Sequence, residues 1–144
     1  MGFFQLTARN GRRCSSAVAF LNPVKSRENL TIITHAQVEK IEIKDKRATA
    51  VQYRDRSGKL ETVQSSREII LSGGSINSPQ LLMLSGIGEA EQLSEHGIDV
   101  IADRPGVGQN LQDHLELYIQ MACTKPVSLY SYWSLPGKAW VGAQ

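Results

Sequence analysis

The chain has 144 residues, a formal net charge of +2 at neutral pH and two cysteines. That length suits one ordinary domain, and so small a charge, spread along the chain, offers no footing for nucleic acid or an anionic membrane surface. No window is apolar enough to span a bilayer, the opening MGFFQLTARNGRRC has no apolar run of signal-peptide length, and Cys14 and Cys123 form no C-x-x-C step or Cys/His cluster, so both read as reduced thiols rather than a metal site or a disulfide.

Residues 1–13 read as irregular, with Asn10-Gly11 as a turn signal before Arg12 and Arg13. Ser15 or Ser16 caps a short helix, AVAFL, that stops before Asn22-Pro23, because proline disfavours a helical residue ahead of it. From Leu30 the pattern turns to strands. Residues 30–34 are short and β-branched; 37–44 carry Ile41 and Ile43 on one face; 48–54 carry Val51 and Tyr53; 60–64 are a weaker run. Turns at 45–47 and 55–59 separate them, which gives a β-meander with one wet face. Ala36 and Val38 hold even positions while Ile41 and Ile43 hold odd ones, so a bulge is expected near Glu39-Lys40.

Residues 67–71, Arg-Glu-Ile-Ile-Leu, read as a strand covered on both faces, as in a parallel sheet. Gly73 and Gly74 then let the backbone turn tightly, and Ser78 caps a helix that starts at Pro79 and ends near Ser85-Gly86. A strand, a glycine turn and a helix N-terminus allow backbone N–H groups to approach a nucleotide phosphate; a βα turn with no ligand accounts for the same residues equally well. A second helix fits 89–96, with Glu89 and Glu91 in its first turn, His96 at its end and Gly97 as the stop, and 98–101 return as a strand. Gly106-x-Gly108 imitates a dinucleotide fingerprint, but Leu111 stands where the third glycine belongs and a Pro-Gly turn precedes it, so it is no phosphate loop. Residues 115–121 alternate as a strand, and the tail beyond Tyr130 mixes Trp133 and Trp140 with Pro136-Gly137.

The segment GGSINSPQLLMLSGIG (73–88) resembles the second signature of the glucose–methanol–choline (GMC) flavin oxidoreductases. Matching blocks surround it in the same order: GRRCSSAVAFL (11–21), NLTIITHAQVEKI (29–41), REIILSGG (67–74), HGIDV (96–100) and PGVGQNLQDHLE (105–116). Within that family, NLQDHLELYIQ and KPVSLY resemble the branch acting on choline and related alcohols. The resemblance implies an α/β fold: part of a Rossmann-like FAD-binding domain over 1–111, made of the meander and one βα unit, leading into the start of a substrate-binding domain over 112–144.

It also implies FAD as cofactor, and as reaction the oxidation of a small-molecule alcohol, with choline the leading substrate, by hydride transfer to the flavin. Val38 matches the residue whose backbone meets the adenine edge of FAD, and Gly73 and Gly74 match the turn packed close to the cofactor, with Ser75, Asn77 and Ser78 as neighbours. Asn110 and His114 fall on the substrate side of the flavin; the other reading of Asn110, Asp113 and His114 is a polar loop that satisfies its own backbone. A quaternary ammonium would want aromatic faces or a carboxylate, for which Tyr130, Tyr132, Trp133, Trp140 and Glu116 are candidates. No residue is assigned as catalytic. The family's pyrophosphate loop G-x-G-x-x-G and its C-terminal histidine pair have no counterpart here, so the expected partners are the N- and C-terminal parts of the same longer enzyme, located in the cytoplasm or peripheral to the inner membrane. Ser85, at the far end of the signature helix, is expected to be neutral toward flavin binding.

Overall fold

The computed structural model describes residues 6–119, 122, 124 and 125. The chain divides into two units, Met1–Leu111 and Gln112–Gln144. The first is mixed α/β and holds all the regular structure among the described residues.

It opens with a small hairpin, β1 (Ala8–Arg9) paired antiparallel with β2 (Arg12–Arg13), where an irregular segment was expected. The turn signal explains it: Asn10 and Gly11 both take positive φ, 52° and 69°, as a two-residue hairpin loop with the strands' own twist requires. Residues Ala17–Leu21 then form one π-helical turn, with Ser15 Oγ accepting the Val18 N–H at 3.4 Å, and Asn22–Val24 continue as a 3₁₀ turn.

The meander is present as read. β3 (Gln37–Lys44), β4 (Arg47–Arg54) and β5 (Leu60–Gln64) form an antiparallel sheet in chain order. Lys44 pairs with Arg47, so Asp45 and Lys46 make the whole turn, both at positive φ (51° and 63°). The expected bulge is there: Val38 pairs with Tyr53 and Lys40 with Gln52, leaving Glu39 unpaired between them. A second irregularity, which parity did not reveal, sits on the facing strand, where Thr49 is the extra residue between Ala50 and Ala48. Thr49 Oγ1 donates to the Glu42 carbonyl at 3.2 Å, and the Thr49 carbonyl accepts the Ser65 N–H at 2.8 Å, so the bulged residue is held on both sides.

After the sheet comes α1 (Gly74–Leu84), which packs on β3. It begins earlier than expected. Gly73 is the N-cap, Ser78 lies inside the helix, and Pro79 sits in the second turn rather than the first. Pro79 has no N–H to give the carbonyl of Ser75, so the sequence rule that places proline at a helix start is overridden here by the glycine turn that starts it. α1 ends at Ser85, followed by Gly86 at φ 84°. Then come β6 (Ile87–Gly88), α2 (Ala90–Glu95) and β7 (Ala102–Asp103), with β6 and β7 paired parallel. α2 stops as expected at Gly97 (φ 68°): the Gly97 N–H bonds the Ser94 carbonyl at 3.0 Å and the Ile98 N–H bonds Leu93 at 2.9 Å, the paired bonds of a glycine C-cap.

Four expected strands are not formed. Residues 30–34, 67–71, 98–101 and 115–119 carry no ladder. A strand exists only through a neighbour's hydrogen bonds, and among the described residues nothing pairs with 30–34 or 67–71, so their β-branched and apolar side chains stay open: Ile33 is 50% exposed and Ile70 76%. At 98–101 the glycine cap consumes the first residues, and pairing begins only at the Ile101 and Ala102 amides, which bond the Gly86 carbonyl, and continues with the Arg104 amide on Gly88. Residues 115–119, in the second unit, form no ladder and are fully open at Leu115.

The core of the first unit is thin. Among the described residues only Ile41, Ala50 and Leu93 are buried apolar side chains. Glycines make room around it: a Cβ on Gly88 would stand 3.0 Å from Met83 Cγ, and one on Gly108 would stand 3.2 Å from Met83 Cε.

Candidate functional site

The bulged start of β3, the extended segment before α1 and one face of α1 enclose a cleft of about 840 Å³. Residues 36–39 form one wall, residues 69–73 the second, and Asn77, Ser78, Gln80, Leu81 and Leu84 the third, and Val51 also lines it. Four of the six residues expected to meet the cofactor, Val38, Gly73, Asn77 and Ser78, therefore line one concavity although 35 positions separate the first two. Gly74 and Ser75 lie beside it, at the start of α1, and do not line it.

Each wall has a local cause. β3 is an edge strand, and at its bulge the Val38 carbonyl accepts an exposed hydrogen bond from Gln37 Nε2 at 3.3 Å. The side chain that donates to this acceptor is exposed and can move aside. The bulged Glu39 pairs with Arg54 Nε at 2.6 Å, and Arg54 also donates to the Gly58 carbonyl at 3.0 Å. Both side chains are well exposed, so the pair orients the bulge more than it stabilises the fold.

At the glycine turn the two residues have different reasons to be glycine. A Cβ on Gly73 would stand 3.1 Å from Asn77 Cβ and 3.3 Å from the Ser78 N, so the following helix turn packs against its α-carbon. Gly74 has open space around it but a φ of 86°, a conformation that only glycine adopts without strain. The Gly73 N–H donates to Ser78 Oγ at 3.0 Å. Ser78 thus does satisfy the helix start, from inside the helix, and the first amide of the turn is committed to it.

Asn110 (φ 58°) lies in the loop after β7 and does not line the cleft. In the second unit, the His114 N–H donates to Asp113 Oδ1 at 2.8 Å, the self-satisfying loop geometry, and His114 is exposed. Glu116 accepts the Tyr118 hydroxyl, and that carboxylate raises the Tyr118 pKa above its ordinary value. Tyr130, Tyr132, Trp133, Trp140 and Cys123 lie outside the described residues. Among the described residues no three His, Cys, Asp or Glu side chains gather as metal ligands, and no helix is long and apolar enough to cross a membrane.

Sequence reasoning missed Ser85. It is not neutral surface at a helix end: it is fully buried, its Oγ donates to the Leu81 carbonyl at 2.6 Å and accepts the Ile41 N–H at 2.8 Å. Its removal leaves a buried strand amide without a partner, so Ser85 has a structural role that its place at a helix end did not reveal. The only local signal was a hydroxyl closing an apolar helix directly before a Gly-x-Gly turn.

The sequence pattern of the GMC oxidoreductases matches residues 1–116. The chain is 51% identical over 143 residues to the oxygen-dependent choline dehydrogenase of Brucella anthropi, and 52% identical over 145 residues to that of Sinorhizobium medicae, covering 99% of this chain each time. It spans about a quarter of those relatives, 26% of their length. Among solved structures, pyridoxine 4-oxidase from Mesorbium loti superposes with a TM-score of 0.63 at 34% identity, over 68% of this chain and 19% of that one. An FAD-dependent oxidoreductase from Chaetomium thermophilum gives 0.60 at 46% identity, over 63% and 16%. A signature helix, a bulged meander and a cleft between them, set in a match over most of the chain, have one family in common: this chain belongs to the GMC oxidoreductases.

Proposed function

We propose that this chain is the middle part of an FAD-dependent alcohol dehydrogenase, with choline as the leading substrate, and that its cleft receives the adenine half of FAD. The observation that carries the reading is the convergence of Val38 and the Gly73 turn on one cavity large enough for a nucleoside. The lining suits such a group. Leu81, Leu84, Val51 and Ile69 offer apolar faces to a flat base, while the Val38 carbonyl, which accepts from the exposed Gln37 Nε2, can take an exocyclic amine in its place. Gly74 leaves open space beside the cleft for a close approach of backbone. Ser75, Asn77 and Ser78 stand at the same end of α1, and Ser78 holds the turn through Gly73.

When bound, FAD supplies the hydride acceptor for alcohol oxidation. What this chain contributes is a binding wall and its orientation. None of its assigned residues removes the hydroxyl proton; that group, like the remainder of the FAD site, comes from the parts of the enzyme outside this quarter. Residues 1–111 belong on this reading to the FAD-binding domain, and 112–144, with Asn110 and His114 at the junction, begin the substrate side. The names of the relatives favour choline over other primary alcohols. The location that accompanies the reading is cytoplasmic or peripheral to the inner membrane, to be checked by fractionation.

The test uses the full-length enzyme and two strain-matched glycines. Gly74 (φ 86°) and Gly58 (φ 85°) both have open space at the Cβ position, and Gly58 lies in the β4–β5 turn, off the cleft. Gly74→Val is expected to lose most of the bound flavin, read by absorbance after desalting, while Gly58→Val keeps it, with circular dichroism confirming that both are folded. A folded Gly74→Val enzyme with full flavin overturns the assignment of this turn to the cofactor. Turnover of an alcohol panel by the unmodified enzyme, with choline not among the substrates, overturns the substrate.

A further inference from the structure

Ser85 is the one buried polar side chain among the described residues, 0% exposed. Its hydroxyl is used twice. It donates to Leu81, one turn back in α1, and it accepts the Ile41 amide of β3, 44 positions away in sequence. β3 pairs only with β4, so the Ile41 amide points off the free edge of the sheet, where an unpaired buried N–H carries a full desolvation penalty. Ile41 itself is 4% exposed, so no solvent stands in for the serine.

The position of this bridge matters more than its strength. The elements it joins are two walls of the cleft: Ile41 lies just past the bulge that presents Val38, and Leu81, whose carbonyl accepts the hydroxyl's hydrogen bond, lines the cleft itself. Ser85 does not line the cleft. Among the described residues no hydrogen bond is made between α1 itself and β3, and packing alone lets elements slide; a directional hydrogen bond from a buried hydroxyl fixes register and separation together. We infer that Ser85 is a positioning residue, which sets the gap between the β3 bulge and α1 and through it the affinity for the adenine half of FAD without touching the ligand. This rests on the proposal that the cleft receives that half.

The experiment is done on the full-length enzyme stripped of flavin, measuring FAD and ADP dissociation constants well below the melting temperature of each apoprotein. Ser85→Ala is expected to weaken both ligands about tenfold, because a gap set by packing alone samples wider separations. Ser85→Cys, of similar volume with a weaker donor and acceptor, is expected to weaken them about threefold, and it carries the test if the alanine variant does not fold. A lowered apoprotein melting temperature with unchanged dissociation constants means a structural tie only and overturns the inference. Gln80→Trp separates the two levels, since Gln80 is exposed on α1 and lines the cleft. If tryptophan there blocks both ligands while the Ser85 variants bind normally, the positioning role alone falls; if FAD and ADP bind Gln80→Trp unchanged, the cleft is not the nucleotide site and both proposals fall.

Discussion

Gly86 is the residue at which backbone conformation and packing coincide most severely. Its φ is 84°, and an added Cβ would stand 2.4 Å from the Asp99 carbonyl and 3.0 Å from Ile101 Cγ1. Those neighbours cannot retreat, because the Gly86 carbonyl takes the Ile101 and Ala102 amides at 2.8 and 3.1 Å, which starts the parallel pair. Gly58 has the same φ with nothing near it. Gly86→Ala should therefore cost about 3 kcal/mol or more and Gly58→Ala about 1 kcal/mol, the first combining clash with strain and the second strain alone. Denaturant melts of the full-length enzyme check the difference; equal costs would mean that the β6–β7 contact yields.

At the scale of elements, the β4–β5 turn shows how one carboxylate organises a hairpin. Asp55 Oδ1 accepts the Ser57 hydroxyl at 2.6 Å, the Ser57 amide at 2.8 Å and the Lys59 amide at 3.0 Å. The Ser57 hydroxyl first, then the two amides, hold its carboxyl below the usual carboxylate range. A depressed folded pKa contributes stability above the unfolded value and loses it as pH falls through the folded value. Asp55→Ala should therefore speed amide exchange across 55–60 at neutral pH, and its difference from the unmodified protein should shrink as pH drops below the ordinary aspartate range. A difference that persists in strong acid would assign the turn to Gly58 rather than to the carboxylate.

For the whole molecule, the balance of buried and open apolar surface decides the outcome. Among the described residues three buried apolar side chains stand against Ile70, Ile76, Leu111, Leu115, Leu117 and Ile119, each more than 60% exposed. Relatives are about four times longer than this chain, which spans 26% of them, and segments 30–34 and 67–71 hold exposed apolar side chains with no ladder partner among the described residues. The 144-residue chain produced alone is accordingly expected to melt without a cooperative transition or to aggregate, and to show no choline turnover with excess FAD and an artificial electron acceptor. A sharp melt from a monodisperse monomer, or turnover above a heat-killed control, would contradict this.

The sequence by itself determined whatever depends on near neighbours. Strand periodicity placed β3 and β5 to the residue, the parity switch between Val38 and Ile41 placed the Glu39 bulge, and Gly97 stopped α2, because each is fixed by side-chain alternation or by one backbone conformation. The signature 73–88 was likewise legible as a family mark, since its glycines, serines and proline are identities rather than averages. Tertiary structure alone decided the rest. Whether 30–34 and 67–71 become strands depends on partners that no local pattern contains; α1 begins at Gly74 because the turn, not Pro79, sets the first helical bonds. Ser85 acquires its role only when α1 lies across β3, for a hydroxyl and an amide 44 positions apart have no relation until the fold buries them together.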